Sequence, residues 1–159
     1  MALLRILVDG YSLLHSWPEL APGKACHSAM AREELVRRLT EYHDAIGTAI
    51  TVVFDGAGER GRPSEMTSTR GMEVLFSRSG QTADDIIERA SARLAKLGEV
   101  LVVTDDYAER DTVIAFGAMA VSCDVFLGMM RGAADDMQRD LKNHNQRERN
   151  KYRHRAGDK

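Results

Sequence analysis

The apolar positions of this chain alternate between two patterns. Short runs of mostly branched apolar residues, LRILVD (4–9), AITVVFD (49–55), MEVLFS (72–77), GEVLVVTDD (98–106) and the weaker MAVSC (119–123), predict buried strands. Between them stand segments with helical spacing. Met30, Leu35, Val36, Leu39 and Ile46 predict a helix over 29–45, capped by Ser28. Ala83, Ile87, Ala90, Leu94 and Leu97 form one stripe of a helix over 83–97. Further helices are expected over 107–117 and 124–150, the last with Val125, Phe126, Met129 and Met130 toward the body. Residues 10–24, with two prolines, read as a loop, and 150–159 as an unstructured tail. Strands apolar along their whole length suit a sheet covered on both faces, and parallel strands need helical crossovers. The pattern predicts an α/β fold: a three-layer sandwich with a mostly parallel central sheet.

Composition narrows the class. The 159 residues fit one domain, and 43% hydrophobic with 29% charged residues is ordinary for a chain that buries a core. No apolar run is long enough to span a bilayer, and Arg5 and Asp9 interrupt the first one, so a cytoplasmic protein without a membrane partner is expected. Cys26 and Cys123 have no zinc-type spacing and read as reduced thiols. The formal net charge of −2 conceals an asymmetry. Residues 1–138 carry 14 Lys+Arg against 21 Asp+Glu, and residues 139–159 carry 8 against 3. An acidic body with a basic end suggests an anionic partner.

The acidic residues fall at telling places. Predicted strands end at Asp9, at Asp55 and at Asp105–Asp106, and a helix opens at Asp84–Asp85. In a parallel sheet all of these lie on the C-terminal edge, where ligands bind. Carboxylates gathered there repel one another unless cations lie between them, and oxygen donors without His or Cys suit Mg²⁺ or Mn²⁺. Capping is the plainer role for Asp84–Asp85, since Thr82-x-x-Asp85 has the form of a capping box. The two roles are compatible: one Asp can cap while its neighbour points into the cleft.

Other motifs lead nowhere. GAGERG (56–61) has the spacing of a dinucleotide fingerprint, but it follows the second strand and runs into Pro63 instead of a helix. Its neighbours Arg60, Arg62 and Arg70 read as solvated charge. A phosphate-accepting receiver domain needs an acidic pair after its first strand and a Lys after its fifth, and neither is present. No Ser/His/Asp triad is evident.

Taken together, the segments resemble a family. ILVDGYSLLHSWPEL resembles the opening motif of YacP-like NYN-domain proteins, which belong to the PIN-like nuclease superfamily. ITVVFDGAG, VLFSRSGQTADDIIERA and VLVVTDDYAERDTVIAFGAMAVSCDVFL resemble its later motifs, in order, over roughly residues 4–130. The resemblance implies an NYN domain over 1–138 and a basic C-terminal extension over 139–159. It implies a metal-dependent endoribonuclease that uses Mg²⁺ or Mn²⁺, with a metal-activated water attacking RNA. The implied substrate is mRNA, with the ribosome as a further candidate partner. Carried over residue by residue, Asp9, Asp84, Asp85 and Asp106 are the expected catalytic metal ligands. Asp105 is a fifth candidate ligand, although the family often has Ser there. Asp55 is expected to support the cluster from outside. Ser12 stands where the family's motif has Asn, expected to position a carboxylate or a substrate phosphate. A shorter side chain there raises a competing expectation, an RNA- or ribosome-binding module with weakened catalysis. In the extension, Arg147, Arg149, Lys151, Arg153 and Arg155 are expected to contact RNA phosphates.

Overall fold

The structure, a computed structural model, describes residues 3–56 and 71–157. Five strands form one all-parallel sheet: β1 (Arg5–Asp9), β2 (Ala49–Phe54), β3 (Met72–Phe76), β4 (Val100–Val103) and β5 (Met119–Val121). Their order is β3-β2-β1-β4-β5. The chain builds outward from β1 through β2 to β3, then returns to the other side of β1 for β4 and β5. The point where it reverses lies between β1 and β4, and open α/β sheets bind ligands beyond the strand ends at such a point.

Five helices cover the sheet: α1 (Gly10–His15), α2 (Ala29–Ile46), α3 (Ala83–Leu94), α4 (Tyr107–Ala115) and α5 (Cys123–Gly157). Strand alternation divides the core in two. Ile6, Val8, Ile50, Val52 and Phe54 face α1, α2 and the start of α5, meeting Leu13, Leu35, Leu39 and Phe126. Leu7, Val53, Val100 and Val102 face the other way, meeting Ile87 of α3 and Val113 of α4. This is the expected three-layer sandwich.

Local chemistry explains where the helices begin and end. Ser28 caps α2 by accepting from Ala31 N, and Gly47 ends it at φ 75°, a left-handed conformation that suits glycine. Thr82 and Asp85 complete a reciprocal capping box on α3. Four expectations are corrected. Residues 10–15 are a helix instead of loop, because the Asp9 carboxylate accepts from Ser12 N and supplies a cap. Helix α3 ends at Leu94, so Leu97 falls beyond the buried stripe and is 74% exposed. Helix α5 runs unbroken to Gly157, so most of the segment expected to be unstructured is helical. Of the stripe expected on α5, Phe126 is buried and Met130 packs on the core, while Val125 and Met129 are exposed. Of the glycine-rich loop only Gly56 is described; Arg60, Arg62 and Arg70 lie outside the described residues.

Candidate metal centre

Three carboxylates from three elements meet at the reversal point. Asp9 ends β1, Asp84 stands in the first turn of α3, and Glu109 stands in the first turn of α4. One carboxylate oxygen from each lies within 4.8 Å of the other two. Glu109 is buried, and Asp9 and Asp84 are half-buried.

Electrostatics shows how unfavourable this grouping is on its own. Burial, reinforced by the charges of Asp84, Asp106 and Asp55, pushes the Asp9 carboxyl up to about 6. Burial first, then the proximity of Asp84 and Asp9, pushes Glu109 up to about 9. Glu109 Oε2 accepts from Thr104 Oγ1 at 2.9 Å, but Oε1 is buried with no hydrogen-bond donor. Its neighbours are themselves carboxylates. Such a group needs either a shared proton or a cation. An all-oxygen set of three carboxylates, one of them buried with an orphaned oxygen, fits a hard divalent cation such as Mg²⁺ or Mn²⁺.

Glu109 was not among the residues picked out from the sequence. Asp106-x-x-Glu109 has the form of a capping box, in which the Glu would reach back to the cap N–H. Here the Thr104 hydroxyl accepts from Asp106 N at 3.2 Å and donates to Glu109, which turns the carboxylate inward. The usable signal was positional. Like Asp84, Glu109 lies in the first turn of a helix that starts on the C-terminal edge.

The other expected ligands are engaged nearby. The Asp85 carboxylate accepts from Thr82 N at 3.1 Å, closing the α3 cap. Asp106 Oδ1 accepts from Ala108 N and Glu109 N, capping the helix that carries Glu109. Asp105 accepts from Ser16 Oγ at 2.6 Å and from Cys123 N at 2.9 Å, tying α1 to the start of α5. Burial opposes its charge, but these hydrogen bonds hold its carboxyl below the usual range. Ser12 Oγ accepts from Asp105 N at 3.0 Å and from the Cys123 thiol at 3.6 Å, so its hydroxyl braces this loop. Burial pushes the Cys123 thiol up to about 12, which leaves it protonated and inert. Asp55 accepts from Ser77 Oγ at 2.9 Å.

A cleft of about 570 Å³ opens over the cluster, lined by Asp9, Asp55 and Asp84 and, on another wall, by Tyr11 and His27. The Tyr11 and His27 rings lie 4.5 Å apart, and Phe54 backs Tyr11 at 5.2 Å. This aromatic wall was also missed, because His27 lies 16 positions beyond Tyr11, in an irregular segment.

Comparison with known proteins agrees with this architecture. The family model described as the YacP-like NYN domain matches residues 6–159. The chain belongs to that family. YacP-like NYN domains fall within the PIN-like nuclease superfamily, so the acidic crevice lies in a nuclease-type fold. A relative in this family, the uncharacterized protein YacP of Bacillus subtilis (strain 168), is 34% identical over 118 residues, 74% of this chain and 69% of its own length. The crystal structure of Rae1 (YacP) from Bacillus subtilis matches with a TM-score of 0.72 at 27% identity, covering 90% of this chain and 81% of that one. Its W164L mutant matches with a TM-score of 0.72 at 28% identity over 87% of this chain and 81% of that one. Among the described residues of this NYN domain no helix is long and apolar enough to cross a membrane.

Proposed function

We propose that the protein is a metal-dependent endoribonuclease acting on mRNA, with Asp9, Asp84 and Glu109 holding the Mg²⁺ or Mn²⁺. The observation that carries this reading is the convergence of these carboxylates within 4.8 Å of one another, with Glu109 buried and its Oε1 left without a hydrogen-bond partner. Bound there, the cation supplies charge neutralisation of the phosphodiester and activation of water. The chain's own groups do the rest. Thr104 and the Asp106 cap fix Glu109, while the α3 capping box fixes Asp84. Tyr11 and His27 offer a face for a base, and single-stranded RNA is recognised largely by such stacking. In this reading Asp85 and Asp106 position ligands, and Asp105 and Ser12 brace the loop behind them. The complete trio supports an enzyme over the weakened binding module, because the Ser12 hydroxyl is engaged with Asp105 and Cys123.

Primer-extension mapping of mRNA 5′ ends in a purified translation reaction tests the proposal. Ribosome-free RNA runs beside it. Wild-type protein should create new ends, while Asp9→Asn and Glu109→Gln should create none. The ribosome-free lane decides whether the ribosome is a required partner. Ends that persist in Glu109→Gln would refute this metal centre.

A further inference from the structure

Alternation along the strands places Arg5, Leu7 and Asp9 on one face of β1, with Thr51, Val53 and then Asp55 along β2, and Glu73, Leu75 and then Ser77 along β3. At the top of this face Asp9 and Asp55 line the cleft described above. Lower down, the same face and α3 enclose a second groove of about 340 Å³. Gln81 lines the groove and Thr82 lines the cleft, so the two are neighbours at the start of α3.

The groove has its own chemistry. Arg89 and Arg93 stand one helical turn apart on its α3 wall, and neither has an ion-pair partner among the described residues. Arg5 closes the lower end, donating to Thr51 Oγ1 at 2.8 Å. Thr51 in turn donates to Glu73 Oε1 at 3.1 Å, which holds one carboxylate among three cations. Leu75 and Ile86 are half-buried between them. Cations for phosphate, one fixed acceptor and an apolar floor together match a nucleotide.

We infer that this groove binds the RNA strand as it leaves the Asp9–Asp84–Glu109 trio. Arg89 and Arg93 meet its phosphates, a base rests on Leu75 and Ile86, and Glu73 accepts from a ribose hydroxyl or an exocyclic amine. The inference rests on the RNA reading above. A free mononucleotide shares this chemistry, but continuity favours a strand. Arg5 and Asp9 are four residues apart on one strand, about 13 Å at ~3.3 Å per residue, so one chain reaches both. Cations along that path also offset the repulsion between an acidic cleft and a polyanion.

The test uses fluorescence anisotropy of a labelled single-stranded RNA on the 159-residue chain carrying Asp9→Asn, which leaves the RNA intact. Arg89→Gln with Arg93→Gln should weaken binding about tenfold or more. It should also lower the slope of log affinity against log salt by about 1.4, the value for two lost single-strand phosphate contacts. Arg38→Gln with Arg131→Gln makes the same charge change on the opposite face of the sheet and should leave both readouts nearly unaltered. Melting temperatures verify that each variant is folded. Unchanged affinity and slope in the groove variant, or an equal loss in the control, overturns the groove. So does mononucleotide binding abolished by the groove substitutions while RNA binding persists. Failure of the Asp9→Asn protein to bind RNA at all overturns the RNA reading itself.

Discussion

Glu109 concentrates the physics of the site in one side chain. Its carboxyl is pushed up to about 9 and that of Asp9 to about 6, both chiefly by burial. The folded chain therefore holds protons that the unfolded chain releases near its ordinary carboxyl values of 4.5 and 3.8. Where the folded state binds more protons, stability falls as pH rises. For Asp9 that loss runs from about pH 4 to 6, and for Glu109 it continues to about pH 9. A divalent cation held by the trio would replace the protons, so its stabilising effect should grow over the same window. Thermal melts with and without Mn²⁺ at about pH 6 and pH 9 should show the larger gain at the higher pH. Glu109→Gln should raise cation-free stability at the higher pH by roughly 1–2 kcal/mol, because a neutral amide replaces a charge among carboxylates. The same substitution should abolish most of the Mn²⁺ gain. A cation effect independent of pH would contradict the assigned trio.

At the scale of elements, α3 and α1 carry separable roles. Asp84 and Asp85 are adjacent, yet only Asp84 joins the trio, while Asp85 closes the cap. Asp85→Asn should cost about 1 kcal/mol of stability through a weakened cap and leave most cleavage intact. Asp84→Asn should abolish cleavage without that stability loss. Melting temperature and cleavage rate, measured on both variants, separate the two. Equal loss of activity would return Asp85 to the catalytic group. Helix α1 makes a steric demand: a Cβ on Gly10 would collide with the buried Phe54 ring. Gly10→Ala should therefore cost about 1–3 kcal/mol by overpacking, read from denaturant unfolding. These elements also show what the sequence exposes. The strands were legible because β1, β2 and β4 are apolar on both faces, and Thr82-x-x-Asp85 announced the start of α3. Helix α1 was hidden because its cap is the Asp that ends β1, followed directly by a glycine. Glu109 was hidden because its spacing from Asp106 imitates a capping box, and only the placement of Thr104 reveals that it turns inward.

Across the whole molecule, the proposed RNA function asks the acidic crevice and the basic helix α5 to serve the same polyanion. Helix α5 has 35 residues, about 52 Å at ~1.5 Å per residue. Among the described residues its start packs on the body core, through Cys123, Phe126, Leu127 and the half-buried Met130 and Ala133. From residue 138 to 151 every position is exposed except Glu148, which is half-buried. The expected RNA-contacting residues do not share one face. Arg149 and Arg153 line up with Lys142, Asn145, Gln146 and Asn150 in a strip that contains no carboxylate. Helical spacing puts Arg147 and Lys151 on another side, where Lys151 pairs with Glu148 at 3.4 Å. Arg155 lies within the helix, but its side chain is outside the described residues. If α5 holds RNA for the distant trio, the carboxylate-free strip should dominate. Neutralising Lys142, Arg149 and Arg153 to Gln should lower the salt slope of RNA binding by about 2, whereas Arg147→Gln with Lys151→Gln should lower it less. Because none of these residues belongs to the trio, cleavage at saturating RNA should be unchanged in both variants. A fall in the saturated rate would place the helix in the reacting complex instead of the capture step. An unchanged salt slope would leave the cations beside α3 to hold the strand alone.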